Sequence, residues 1–293
     1  MRIRKFAAID IGSNAIRLLI NNVIEHPEKP TVFKKSELIR VPIRLGEDSF
    51  TVGEISERNL ARLIKTMKSF DLLMQVYDVE KYMACATSAL REANNGQDVV
   101  EQVHKESGIQ ISIIDGKKEA SIIASTDLKD LIKKDKSYLY VDVGGGSTEF
   151  TVFKKGNLLA SKSFKIGTVR ILNDLVKDAV WNQIKAWIIP HFDKESKVEI
   201  IGSGGNINKL HKMSGRKTGQ PLSFIWLNAQ YHFLNSMAYD DRISELGLNQ
   251  DRADVIIPAT KIFLSAAKWS GAKKINVPKI GLADGMIKTL YYE

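Results

Sequence analysis

One cysteine, Cys85, is the only thiol in the 293-residue chain, so no intrachain disulfide can form. That scarcity suits a reducing compartment. Set in the apolar run "KYMACATSAL", Cys85 reads as a small buried strand residue. Long hydrophobic runs are missing too, because no stretch approaches the ~18 apolar residues of a membrane span. The basic opening "MRIRKF" has the charge of a signal peptide, but Asp10 interrupts the apolar segment behind it. The expected location is cytoplasmic, with no membrane partner. Histidine is sparse, and His26, His104, His191, His211 and His232 show no ligand spacing, which argues against a histidine zinc site. Zinc-finger spacing and aromatic RNA-binding signatures are also lacking, so no nucleic-acid partner is expected. Proline and glycine mark loops rather than long linkers, and nothing is low-complexity.

What is present is an ordinary globular composition, 44% hydrophobic and 26% charged. At about 150 residues per domain, the length suggests two domains, each able to bury a core. Lysine and arginine outnumber aspartate and glutamate by 43 to 34, a net charge of +9 that favours an anionic partner. Short β-branched runs ended by glycine or charge read as strands: "KFAAIDIG", "AIRLLINNVI", "VEKYMACAT", "IQISIID", "SYLYVDVG", "EFTVFKKG", "LLASKSFKIG" and "KVEIIGSGG". Helical spacing covers Ser56–Met74, Asp98–Glu106, Glu119–Ile132, Arg252–Trp269 and Leu282–Tyr291. The pattern is that of an α/β protein with mixed sheets.

Two segments share one plan. "FAAIDIGSNAIRLLI" (Phe6–Ile20) and "LYVDVGGGSTEFTVF" (Leu139–Phe153) each run from an apolar strand through Asp, Ile or Val and Gly to small and polar residues, then into a second strand. Each is expected to be a β-hairpin with a small, polar turn. Glycine there lets successive backbone N–H groups point at an anion, and Ser13, Asn14, Ser147 and Thr148 add donors. Asp10 and Asp142, just ahead of the loops, are placed to hold a hydrated Mg²⁺ bridging phosphate oxygens. A glycine-rich hairpin without a ligand explains either loop alone, but explains two matched copies less well.

The arrangement resembles the actin, Hsp70 and sugar-kinase superfamily. Within it, the chain is similar to the exopolyphosphatase and guanosine pentaphosphate phosphatase (Ppx/GppA) family, in a two-domain form. The segments that carry the likeness are "AIDIGSNAIRLLI", "RLGE" (Arg44–Glu47), "ATSALREANNG" (Ala86–Gly96), "IIDGKKEA" (Ile113–Ala120), "VDVGGGSTEF", "IGTVRI" (Ile166–Ile171), "IGSGGNI" and "RADVIIPA" (Arg252–Ala259). They follow family order along nearly the whole chain.

The resemblance implies two actin-like (ribonuclease H-like) domains, with mixed β-sheets flanked by helices and an active-site cleft between them. The expected extents are residues 1–123 and 124–281, with a helix at 282–293 packing back on the first domain. It also implies that Glu119 is the general base for the attacking water and Arg91 a cleft arginine that grips phosphate. By position alone, Glu119 reads as a helix-dipole glutamate and Arg91 as a surface arginine. Glu149 matches an acidic residue near the metal, although it also suits an outward-facing strand glutamate. Ser13 and Asn14 match the first phosphate loop, and Gly144, Gly145, Gly146 and Ser147 the second. Gly204 and Gly205, a further glycine turn at a helix start, are also expected to bind phosphate.

Two departures stand out. Asn206 occupies a position where the family usually has threonine, and Ala283–Asp284 stand where many members have Arg-Glu. The implied activity is Mg²⁺-dependent hydrolysis of terminal phosphoanhydride bonds in inorganic polyphosphate. Hydrolysis of guanosine pentaphosphate is the near alternative. A non-catalytic polyphosphate- or alarmone-binding regulator, and an actin-like ATP-dependent kinase, are the readings from other classes. A homodimer is left open.

Overall fold

The computed structural model describes residues 1–126, 128–193 and 197–293. The chain divides into two compact units, Met1–Thr126 with Leu282–Glu293, and Asp127–Gly281.

The first unit contains β1 (Arg2–Ile11), β2 (Ile16–His26), β3 (Lys29–Val41), α1 (Leu45–Thr51), α2 (Glu57–Val76), β4 (Lys81–Ala86), α3 (Ser88–Glu92), α4 (Gly96–Ser107), β5 (Ser112–Ile113) and α5 (Gly116–Ala124). The second contains α6 (Leu128–Leu131), β6 (Ser137–Val143), β7 (Thr148–Lys154), β8 (Asn157–Phe164), α7 (Thr168–Leu172), α8 (Asp178–Ile188), β9 (Val198–Ser203), α9 (Gly205–Met213), β10 (Leu222–Ser223), α10 (Phe224–Ser236), α11 (Tyr239–Ser244), α12 (Gln250–Ala253), α13 (Ile256–Ser270) and β11 (Lys274–Asn276). The last helix, α14 (Leu282–Tyr292), returns to the first unit.

Both units carry a mixed sheet flanked by helices. The first has strand order β3-β2-β1-β4-β5, and the second β10-β11-β9-β6-β7-β8. Both begin with an antiparallel meander, after which a parallel strand joins the first strand: β4 beside β1, and β9 beside β6. The repeat seen in two sequence segments therefore extends to whole sheets.

Alternation along β1 sends Ala7, Ile9 and Ile11 into a core with Leu63, Met67 and Phe70 of α2 and Val99 and Val103 of α4. In the second unit Val141, Val143, Phe150 and Val152 pack with Ile207 and Leu210 of α9 and Phe263 of α13. Helix starts follow local chemistry. Ser56 caps α2 by accepting from the Asn59 N–H at 3.3 Å, and Asp115 caps α5 by accepting from Lys118 N–H at 2.7 Å.

Some expectations change. "IQISIID" pairs as a strand only over Ser112–Ile113. The helix expected over Glu119–Ile132 starts earlier, at Gly116, and ends at Ala124, while Leu128–Leu131 forms a separate short helix. Residue 127 lies outside the described residues. The edge strand β3 was not anticipated, because its lysines and Glu37 hide the period of two. Its strand state is imposed by pairing with β2.

Helix α14 packs on the face of the first sheet opposite that core. The Tyr291 ring meets Phe33 edge-on at 5.4 Å, and Asp284 pairs with Lys35 at 2.7 Å. Gly285 brings α14 so near α5 that a β-carbon would stand 2.2 Å from the Ile122 carbonyl oxygen.

Candidate functional site

Both expected loops are present and share one geometry. The β1–β2 ladder ends at Ile11 opposite Ile16, and Gly12 N–H donates to Ala15 C=O at 3.2 Å across the loop. The β6–β7 ladder ends at Val143 opposite Thr148, and Gly144 N–H donates to Ser147 C=O at 3.0 Å.

The start of a later short helix then ties down the loop carbonyls. In the first unit, Gly46 N–H donates to Ser13 C=O at 2.8 Å and Arg44 N–H to Asn14 C=O at 3.1 Å. In the second, Thr168 N–H donates to Gly144 C=O at 3.0 Å and Val169 N–H to Gly145 C=O at 2.9 Å. Arg170 Nε donates to Gly146 C=O at 2.8 Å.

A trans peptide holds its C=O and the next N–H on opposite sides. Carbonyls turned toward α7 therefore turn the N–H groups of Gly145, Gly146 and Ser147 away from it. The same reasoning turns the N–H groups of Asn14 and Ala15 away from α1. Successive N–H groups aimed one way make a cradle for an anion. This explains "RLGE" and "IGTVRI", whose roles the sequence left unstated. Gly46 and Gly167 are the positions where helix start and loop touch, and a β-carbon at Gly46 would stand 2.8 Å from Ser13 Cβ.

In the first unit, Asp10 is buried and accepts from Arg17 Nη1 at 2.8 Å. Ser13 Oγ lies 3.2 Å from Ser88 Oγ at the start of α3. Arg91, on the same helix, donates from Nη1 to the Ile114 carbonyl at 2.7 Å, which ties α3 to the segment entering α5. Glu119 lies in the first turn of α5 and is buried, with 8% exposure. Cys85 stands opposite Asp10 in register. Burial, together with the Asp10 and Glu119 charges, pushes its thiol up to about 11 against the smaller opposing effect of Lys118. Cys85 is thus an inert thiol beside two carboxylates, consistent with its expected buried strand position.

In the second unit, Asp142 faces Glu149 across β6–β7 and Ser203 across β6–β9. The Tyr140 hydroxyl donates to Asp142 Oδ2 at 3.4 Å. Burial first, and the Asp142 charge second, hold that phenol well above its ordinary value. Glu149 is buried rather than outward-facing, and its Oε1 accepts from Ser147 Oγ at 2.7 Å and Ser163 Oγ at 2.9 Å. Gly204 has φ 110, where side chains are strained, and a β-carbon there would stand 2.9 Å from the Val143 carbonyl. Gly205 opens α9, and its carbonyl accepts from Arg252 Nη1.

The structure thus gathers Asp10, Ser13, Asn14, Arg91 and Glu119 in one unit and Asp142, Gly144–Gly146, Ser147, Glu149, Gly204 and Gly205 in the other. Arg17, Ser88 and Arg170 were not anticipated. Their contacts are tertiary, although Arg17 could have been flagged as the only charged residue between Ile16 and Ile24 in the strand leaving the first loop.

Among the described residues no three His, Cys, Asp or Glu side chains cluster as a metal cage. Mg²⁺ commonly takes one or two carboxylates and fills its shell with water and phosphate oxygens. Asp142 fits that use. Each of the three expected carboxylates also has a partner within the protein, Arg17 for Asp10, the Tyr140 hydroxyl for Asp142 and two serine hydroxyls for Glu149.

The model of the Ppx/GppA phosphatase family matches residues 31–291. The chain is 30% identical over 303 residues to the bifunctional 3-dehydroquinate synthase/phosphatase of Fusobacterium nucleatum, an alignment covering 92% of this chain and 44% of that protein. It is 22% identical to exopolyphosphatase 1 of Mycobacterium tuberculosis, over 97% of this chain and 87% of that one. Among solved structures, an exopolyphosphatase from Cytophaga hutchinsonii superposes with a TM-score of 0.82 at 23% identity, covering 98% of this chain and 97% of its own. The Aquifex aeolicus member of the Ppx/GppA family gives 0.77 at 21%, covering 99% and 98%. The fold is thus the actin-like two-domain fold of those structures. The chain belongs to the Ppx/GppA phosphatase family, whose members hydrolyse phosphoanhydride bonds. Among the described residues no helix is long and apolar enough to cross a membrane.

Proposed function

We propose that the protein is an exopolyphosphatase that removes terminal orthophosphate from inorganic polyphosphate. The observation that supports this is the hydrogen bonding repeated within each loop, whose carbonyls are bound by a helix start so that the intervening N–H groups turn to the other side, an arrangement suited to an anion. Glu119 accepts a proton from water as its oxygen attacks the terminal phosphorus, and the bond to the bridging oxygen breaks so that the shortened chain leaves. Arg91, its guanidinium plane set by the bond to Ile114 C=O, offsets charge on the equatorial oxygens. Mg²⁺ would be held by Asp142 and would supply charge neutralisation on the phosphate chain. A positive molecule, +9 overall, also favours a polyanion.

The test is phosphate release from long polyphosphate, short polyphosphate, guanosine pentaphosphate and ATP, side by side with Mg²⁺. Release from polyphosphate well above the others supports the proposal. Preference for guanosine pentaphosphate would replace it with the alarmone reading, and activity only when a second phosphate acceptor is supplied would point to a kinase.

A further inference from the structure

Lysine gathers at one end of the second sheet. There β11, β9 and β6, which are parallel, begin, and β10 and β7, which run antiparallel to them, finish. Gly144–Ser147 and Gly204–Gly205 lie at the other end, roughly 20 Å away along β6 at about 3.3 Å per residue. β11 is entered through Lys273 and Lys274, β9 through Lys197, and β6 through a turn holding Lys133 and Lys134. β7 leaves through Lys154 and Lys155. The last two turns meet, since a β-carbon on Gly156 would stand 3.2 Å from Lys134 Cγ. Six of these seven lysines are exposed and Lys154 is half-buried, and among the described residues none of them forms an ion pair. Glu199 at this end is taken by Lys136 at 2.7 Å. Asp135 and Asp193 add two negative charges, so positive charge stays in excess.

Exposed aliphatic side chains bracket the lysines. On the β10 side, Phe224 N–H donates to Lys273 C=O at 3.0 Å, and Ile225 next to it is 81% exposed. On the β8 side, Leu158 and Leu159 near the start of that edge strand are 53% and 56% exposed. Ile189 is exposed in the turn Ile189–His191, where the Lys154 charge adds to burial in lowering the His191 imidazole. Across six strands about 4.8 Å apart, the order is isoleucine, lysines, leucines, over roughly 24 Å. One exposed aliphatic side chain is ordinary. A lysine row with aliphatic groups at both margins has two complementary uses at one surface: ammonium groups meet headgroup phosphates, and aliphatic groups enter the acyl boundary. Nucleic acid suits it less, because bases stack on aromatic rings or guanidiniums and gain nothing from leucine and isoleucine.

We infer that this end of the second unit is a docking surface for an anionic phospholipid membrane, with the lysines on headgroup phosphates and Ile189, Ile225, Leu158 and Leu159 at the acyl boundary. This departs from the expectation of no membrane partner, which rested on the lack of a spanning segment. Among the described residues no helix could cross a bilayer, but a basic face with a few aliphatic groups binds reversibly at its surface. The loop end of the second sheet is then held on the side away from the lipid. The inference is independent of the substrate proposed above.

Co-sedimentation of the full chain with vesicles tests it. Binding is expected to vesicles of phosphatidylcholine mixed with phosphatidylglycerol, not to phosphatidylcholine alone, and should weaken as salt is raised. Lys154→Gln combined with Lys155→Gln should weaken binding by at least about tenfold at an unchanged melting temperature. Lys273→Gln combined with Lys274→Gln, farther along the row, should do the same and stands in should the first pair unfold. Leu158→Ser combined with Leu159→Ser should weaken vesicle binding by about threefold or more, yet leave retention by a single-stranded RNA oligonucleotide as in wild type. No binding by the wild type, or equal binding to both kinds of vesicle, would overturn the docking surface. So would vesicle binding that folded lysine variants retain in full. RNA binding that the lysine variants lose, with vesicle binding indifferent to the leucine variant, would assign this face to nucleic acid and likewise overturn the inference.

Discussion

A β-carbon on Gly167 would stand 2.3 Å from the carbonyl oxygen of Gly145 and 2.5 Å from the Gly146 nitrogen. Both contacts are with backbone, so the loop must move if a side chain is added. Gly167→Ala is therefore expected to turn the second loop and lower kcat/KM for polyphosphate by about 10²-fold, the scale of a misplacement near 1 Å. Steady-state kinetics beside melting curves check this. Wild-type kinetics in a folded variant would show that helix α7 does not hold the loop in its working geometry.

Glu119→Gln keeps the shape of the side chain but cannot accept a proton. Turnover should fall by roughly 10²–10⁴-fold while tripolyphosphate still binds. Near-normal turnover would remove Glu119 from the chemistry.

A chelator should abolish phosphate release and Mg²⁺ restore it. Asp142→Asn should raise the half-saturating Mg²⁺ concentration by about tenfold or more. A second readout is the rise in melting temperature on adding Mg²⁺ with tripolyphosphate, which the variant should lose. An unchanged Mg²⁺ requirement in the variant would move the metal to other ligands.

Glu199 provides a pH test away from the loops. It accepts from Lys136 at 2.7 Å and from Asn276 on β11 at 2.9 Å. Burial acts to raise its carboxyl, but these two hydrogen bonds and the Lys136 charge outweigh burial, so the net shift is below the ordinary 4.5. A lowered carboxyl stabilises the fold above its unfolded value, and that contribution is lost as pH falls through the folded one. Glu199→Gln should therefore melt lower than wild type at neutral pH, with the gap closing below pH 4.5. A gap that stays constant down to acid unfolding would mean that the charge contributes nothing.

Much of this was legible in the sequence because it is local. Asp142 and Gly144–Gly146 advertise a turn by composition, and the matched spacing around Asp10 and Gly12 marks a repeat. Glu119 was visible only through family resemblance, since a glutamate in the first turn of a helix usually just complements the dipole. The short helices α1 and α7 were not visible. Seven and five residues long, they have no room for a helical period, and hydrogen bonds to loop carbonyls stabilise their starts. Strand β3 was hidden for a related reason, because an edge strand carries lysine and glutamate as protection against further pairing. The Asp10–Arg17 bond crosses two strands whose register no motif specifies.

The return of α14 to the first unit has a consequence for the order of synthesis. The second unit is one continuous segment, Asp127–Gly281, whereas the first lacks Leu282–Glu293 until all of the second has been made. A ribosome adding about 5–20 residues per second therefore exposes the first sheet for many seconds before its last helix can dock. During that interval Phe6 and Phe33, which Tyr291 later covers, face solvent. The second unit can thus mature first despite being second in the chain. Any lesion that delays or removes the final helix would leave the unit carrying Glu119 incomplete, with its apolar face open to chaperones or to other nascent chains.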